Sequence, residues 1–245
     1  MNTDKALSQI EAKSQPGKAA QMAAYHKADR RYIGTANPDI DALCKEWRAA
    51  CDLDQRLQLA RGLWDSNSHE GRIAAAKLLT QARIRPDDTA AWALICSWVP
   101  DFDAWAIADH VCIAAQKRIV ADPSRLETVA EWTQSPLMWA RRAALVATLP
   151  FAKMNHPKEA ELAAREEILD WAASYLGDKD WFIQKAVAWW LRDMSKHDPD
   201  RTAAFLAEFG DLMKKWARTE ASQYLPVTEQ EDPAPQDRSL PHHLF

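Results

Sequence analysis

In the stretch WAIADHVC, residues 105–112, Trp105 precedes Asp109 by four positions. Four residues are about one helical turn, so in a helix the indole and the carboxylate lie one above the other on a single face. On a helical wheel Ala104, Ile107, Ala108, Val111 and Ala115 share the apolar side, and Trp105, Asp109 and Gln116 fall away from its centre. Such a face either solvates a carboxylate beneath a boundary tryptophan, which is the plainer reading, or is built to meet a partner. The segment 182–194 shows a second anomaly. Phe182, Ile183, Ala186, Val187, Trp190 and Met194 form a core stripe, whereas Trp189 lies outside it, close to Lys185 and Arg192. An aromatic flanked by two cations suits a nucleic-acid surface, where cations meet phosphates and the ring meets sugar or base. A third anomaly is Arg142, which falls among Trp139, Val146 and Leu149 on an apolar side. A semi-buried guanidinium needs an anion, and the plain candidate is a carboxylate on a neighbouring helix.

These residues need helices to position them. Six glycines and thirteen prolines among 245 residues, with abundant Ala, Leu, Glu, Gln, Arg and Lys, predict an all-α chain, and 47% apolar content supplies a core. Most of the twelve tryptophans are expected to fill gaps between packed helices. Cys44, Cys51, Cys96 and Cys112 form no C-x-x-C pair and lack metal-ligand spacing, so they read as reduced core thiols. That usage, with a polar N-terminus and no apolar run long enough to span a membrane, predicts a cytoplasmic protein without a signal peptide. No Gly-rich phosphate loop, Ser-His-Asp pattern or metal cluster is evident, and neither cofactor nor metal is expected.

The formal charge of −4 excludes a uniformly basic nucleic-acid binder. Glu229, Glu231, Asp232 and Asp237 against Arg238 place much of the acidity after Pro226, however, and the body is near neutral, which leaves room for a local basic groove. Residues 226–245 are rich in proline and acids and are expected to be a disordered tail to a 1–225 domain. His242 and His243 within it read as incidental. Along the body, YIGTANPDIDALCKEW shows helix punctuation: Gly34 is expected to stop one helix, and Asn37 to cap the next with Pro38 at its first position.

WARRAALVATL (139–149) and WFIQKAVAWWL (181–191) align with one position of slack. Each opens on a tryptophan, followed by Arg141-Arg142 or Gln184-Lys185, and the openings stand 42 residues apart. GRIAAAKLL (71–79) shares the cation and the small apolar residues. Periods of about 40–47 residues belong to HEAT-like arrays, whose helical hairpins bury their apolar faces by stacking and whose concave side suits an elongated ligand.

In order along the chain, AAYHK (23–27), YIGTANPDIDAL (32–43), GLWDS (62–66), WAIAD (105–109), WARRAA (139–144) and WFIQKAVAWWLRD (181–193) resemble the AlkD-type DNA alkylation repair glycosylases over about residues 20–225. The resemblance implies a HEAT-like solenoid with a concave DNA-binding face. It also implies excision of positively charged alkylpurines, such as 3-methyladenine and 7-methylguanine, without flipping the lesion into a base pocket. Carried over position by position, Trp105 and Trp189 match the cleft tryptophans and Asp109 the catalytic carboxylate. Arg142 matches the DNA-contacting arginine, Tyr25 a cleft tyrosine and Arg192 a basic residue facing the DNA backbone, with Lys185 beside it. Ala106 stands where relatives often carry an acidic or polar residue. The expected partner is double-stranded DNA containing alkylated bases, bound by a monomer. The alternatives are a non-catalytic HEAT-like protein that binds branched or damaged DNA, and a protein–protein scaffold.

Overall fold

The computed structural model describes residues 1–226, and the tail expected from 226 onward lies almost wholly outside the described residues. Among those residues the regular structure is helical, with isolated bridges but no strand. The leading helices are α1 (Thr3–Glu11), α2 (Lys18–His26) and α3 (Asn37–Ala50). Then come α4 (Leu53–Asp65), α5 (His69–Lys77), α6 (Thr89–Trp98), α7 (Trp105–Ala121), α8 (Leu126–Thr133) and α9 (Met138–Ala147). A single turn, α10 (Leu149–Ala152), precedes α11 (Glu159–Ser174), α12 (Trp181–His197), α13 (Pro199–Phe209) and α14 (Lys215–Ala221). The segment 138–149 is therefore two helices, because Pro150 in the first turn of α10 cannot supply the backbone donor that would continue α9.

Within the array α4 packs on α5, α6 on α7, α8 on α9, and α12 on α13. One layer runs in succession through α3, α5, α7, α9, α12 and α14, each helix packed on the next. This is the HEAT-like arrangement that the repeat predicts, and the three aligned segments fall on α5, α9 and α12. Small side chains explain the close stacking. Ala74, Ala75 and Ala76 on α5, Ala108 and Ala115 on α7, Ala143 and Ala144 on α9, and Ala186 on α12 are all buried. Tryptophans fill the wider gaps. Trp64 stacks on Trp98 with ring centres 4.6 Å apart, and Trp92 stacks on Trp132 at 6.0 Å. All four cysteines are free, and Cys44, Cys51 and Cys112 are buried.

Buried arginines pin one repeat to another. Arg118 reaches Asp88 at 2.8 Å and the carbonyl of Ala82 at 3.2 Å. Arg165 reaches Asp198 at 2.7 Å and the carbonyls of Phe151 and Met154. Each donates to backbone carbonyls as well as to its carboxylate.

The entry to α3 differs from the expectation. α2 stops at His26, with Lys27 in the left-handed conformation, and α3 begins at Asn37 with no side-chain cap. Gly34 (φ +93°) lies in the intervening link, where an added Cβ would sit 2.8 Å from the backbone nitrogen of Ala19. Its role is a close approach, not helix termination. The wholly buried Glu70 holds this link, because its carboxylate accepts from the backbone N–H groups of Ile33 (2.9 Å), Gly34 (2.6 Å) and Thr35 (3.2 Å).

Candidate functional site

Six of the seven singled-out residues lie on the stacked layer: Trp105 and Asp109 on α7, Arg142 on α9, and Lys185, Trp189 and Arg192 on α12. Tyr25 comes from α2. Trp105 opens α7, so Asp109 sits one turn further along the same face, and both are half-buried.

The anion that Arg142 requires is Asp109. The guanidinium, only 4% exposed, donates from both terminal nitrogens to the two carboxylate oxygens, and the longer of these bonds is 3.2 Å. This end-on pairing fixes the carboxylate's plane as well as its place. The Trp139 ring lies 5.7 Å from the guanidinium carbon and packs the arginine from its own helix. A neighbouring-helix carboxylate was the plain expectation for Arg142, and it coincides with the candidate catalytic group. The DNA contact expected at Arg142 thus has a competitor already in place.

Lys185 and Arg192 converge on one carboxylate, that of Glu220 on α14, at 2.6 and 2.8 Å. They stand two turns apart on α12, each about one turn from Trp189, which is half-buried and packed against the core edge. The adjacent Trp190 is wholly buried, as the core stripe predicts. Tyr25 is 69% exposed and meets the Trp105 ring edge-on at 6.0 Å. Tyr25 and Trp105 therefore form one half of the site, joined through α7 and α9 to Asp109–Arg142, with the α12 stripe one helix further along the layer.

A group of histidines beside Trp105 was not singled out from the sequence. His26 lies 5.2 Å from Trp105 and 4.4 Å from His69, and the Tyr32 ring stacks on His69 at 4.9 Å. His110 follows Asp109 directly, and its Nδ1 meets the carbonyl of Ala106 at 2.7 Å. Burial lowers all three imidazoles below their ordinary value, and it pushes His69, with help from nearby His26 and Arg30, down to about 3. A signal was present: positions 26, 69 and 110 recur at 43 and 41 residues, the period of the repeat itself.

The neutral state of His69 gives a pH prediction. Its folded pKa is depressed, so the unfolded chain binds the extra proton as pH falls through about 6.5. Stability is complete above that value and is lost below it. Between pH 6.5 and 5 His69 alone is expected to remove about 2 kcal/mol, and His26 and His110 act in the same direction. Thermal melting from pH 7 to 5 checks this, and a melting temperature that does not move over that range contradicts it.

Among the described residues no group of three or more His, Cys, Asp or Glu side chains is placed to hold a metal ion, and no helix is long and apolar enough to cross a membrane. The chain is similar in structure to a predicted DNA alkylation repair enzyme from Enterococcus faecalis, with TM-score 0.74 and 21% identity over 88% of this chain and 98% of that one. AlkD2 from Streptococcus mutans superposes with TM-score 0.60 and 19% identity, covering 85% and 98%. A protein described as related to the HEAT-like repeat DNA glycosylases, with affinity for branched DNA structures, gives TM-score 0.66 and 12% identity, covering 85% and 83%. At these identities the likenesses carry the fold alone. No curated protein matches the chain. The family model described as DNA alkylation repair enzyme matches residues 6–225, nearly the whole described chain. With the AlkD-like fold beside that match, the chain belongs to the DNA alkylation repair enzyme family.

Proposed function

We propose that the protein is a monofunctional DNA glycosylase that hydrolyses the N-glycosidic bond of cationic alkylated purines, acting as a monomer on duplex DNA. The observation that carries this reading is the placement of Asp109. Its carboxylate is held in a fixed plane by Arg142, stands one turn from the ring of Trp105, and keeps 22% of its side chain exposed. A purine alkylated at N3 or N7 is positively charged and leaves with little help from an acid. The protein's task is then to stabilise the oxocarbenium-like sugar left behind and to direct water to it. A preorganised carboxylate does both, as in glycoside hydrolysis. The ring face of Trp105, and that of Trp189 from α12, favour the same positive charge.

In this reading Arg142 is a positioning residue for Asp109, while Lys185 and Arg192 meet the phosphate backbone after exchanging Glu220 for it. Affinity for duplex DNA is therefore expected to fall steeply with salt despite the acidic formal charge. Lys185→Ala and Arg192→Ala should each reduce the slope of log affinity against log salt by roughly 0.9. Titrations at several salt concentrations decide this, and slopes unchanged in both variants would remove the α12 stripe from the interface.

The direct test is incubation with duplex DNA containing 7-methylguanine. Base release well above spontaneous depurination supports the reading. Release no faster than depurination, with DNA binding retained, makes the protein a non-catalytic binder of DNA.

A further inference from the structure

Of the twelve tryptophans Trp181 alone is exposed, at 52%. A solitary exposed ring needs no explanation, but this one is not solitary. It lies 6.0 Å from the Trp216 ring of α14, at 26° to it, and meets Phe182 edge-on at 5.1 Å. The repeat shows why the pair is unusual. Trp139 opens the aligned segment on α9 as Trp181 opens that on α12, and there the next unit covers the ring, because Phe182 packs on it at 4.6 Å. Trp181 meets instead the last helix of the described layer. The end of a repeat array ordinarily presents a polar face. Here it presents an open aromatic pair.

The pair continues the surface proposed to meet DNA. Trp181, Lys185, Trp189, Arg192 and Lys196 recur at four, four, three and four residues, so they run as one stripe along α12. α14 sets a second row beside it. Trp216 faces Trp181, Glu220 faces Lys185 and Arg192, and Lys196 lies 5.9 Å from the ring of Tyr224, which follows α14. Lys215 shares a shallow surface hollow with Trp216, and Lys153 shares another with Arg192 and Lys196. Along this double row the five cations outnumber the acids Asp193 and Glu220, so the surface is locally basic in a chain of negative formal charge. Asp180, next to Trp181, turns its carboxylate to the start of α12 and accepts from the Phe182 N–H at 2.8 Å.

We propose that Trp181 and Trp216 form a stacking platform for an unpaired nucleobase, where a single strand runs off the duplex and its phosphates meet Lys185 and Lys215. Cations alone would serve a duplex, whose base faces are hidden in the stack. An exposed ring beside them gains only from a base that has left it, and every base has such a face, so the platform is indifferent to sequence. The base concerned is an unpaired one at the margin of the interface, not the lesion. The assignment rests on the proposed contact between the α12 stripe and DNA.

The test uses the full chain and three fluorescent probes at several salt concentrations: a blunt duplex, the same duplex with a short oligothymidine overhang, and the single strand alone. One overhang base is replaced by 2-aminopurine, whose emission is quenched on stacking. The overhang is expected to raise affinity at least about fivefold, the lower end of what stacking one base contributes. Trp181→Leu and Trp216→Leu keep apolar bulk and lose the ring. Each is expected to remove the gain and the quenching, with blunt-duplex affinity and melting temperature little changed, whereas Trp181→Phe keeps most of both. Lys215→Ala should lower the salt slope for the overhang by roughly 0.7, and the Leu variants should leave that slope alone. Equal affinity for blunt and overhung duplex overturns the proposal. So does an overhang preference that survives both Leu variants. Self-association that is lost in Trp216→Leu, with no overhang preference, would overturn it in favour of a second copy of the chain. A preference that emerges only when Glu229, Glu231, Asp232 and Asp237 are exchanged for their amides would overturn it in favour of that acidic segment. Binding of the single strand through the two tryptophans, with no binding of blunt duplex, would sink the duplex reading and leave the platform standing.

Discussion

Asp109→Asn is expected to slow release of 7-methylguanine from duplex DNA by about a hundredfold or more under single turnover, the scale of losing one preorganised electrostatic contact to a transition state. The substitution keeps the shape of the side chain and removes its charge. It also takes the counter-charge from Arg142, which is 4% exposed and has no second acidic partner among the described residues. Breaking a fully buried pair by removing one partner costs about 3–5 kcal/mol, and the partial exposure of Asp109 places the expected loss nearer ~1–3 kcal/mol. A fall in activity could then be confused with a fall in stability. The double variant Asp109→Asn/Arg142→Gln separates them, since two neutral side chains can hydrogen-bond to each other and most of the lost melting temperature should return. Release should not return with it. If Asp109→Asn is assayed well below its melting temperature and releases base within about threefold of wild type, the carboxylate is only a strut between α7 and α9.

Trp190→Ala is expected to cost about 3–5 kcal/mol of stability, the usual range for deleting a large, wholly buried ring. The ring sits in the core between α12 and its neighbours, where the small alanines of the layer cannot move in to close the cavity. Trp189→Ala, one residue earlier, removes a half-buried ring at the edge of the core. Its expected effect is slower base release with a smaller loss of stability. Melting and single-turnover release measured on both variants give a crossed pattern if the assignment is right. A Trp189 variant that is destabilised as severely as the Trp190 variant and releases base normally would return Trp189 to the core.

The helical fold was open to reading because its signals are local. Scarce glycine, the 3.6-residue periodicity and the recurrence of Trp139 and Trp181 at 42 residues each reflect packing that every repeat must perform in the same way. The division of Trp189 from Trp190 was legible for the same reason, since a wheel separates adjacent residues by 100°. Pairings between repeats were not. Asp109 and Arg142 are 33 residues apart, and Glu220 is 35 from Lys185 and 28 from Arg192. Which side chain faces which depends on the register of one helix against the next, and that register is set by packing. The role of Gly34 was misread because left-handed backbone serves a helix end and a tight approach equally well, and the approach to Ala19 is tertiary. The histidine cluster lay between these cases, its period visible along the chain and its enclosure visible only in three dimensions.

Because each helix of the stacked layer leans only on its neighbours, the molecule behaves as a row of linked units and its stability is shared out joint by joint. Opening should begin at the two ends of the layer, where a unit has a neighbour on one side only, and amide exchange should be faster in α3 and α14 than around α7 and α9. Asp109 and Arg142 occupy that slow centre. Loosening of the last unit, which carries Glu220, would uncover Lys185 and Arg192 while the carboxylate and its arginine stay clamped. The same row would let the protein yield at its margin to a bent or distorted duplex without disturbing the geometry at its middle.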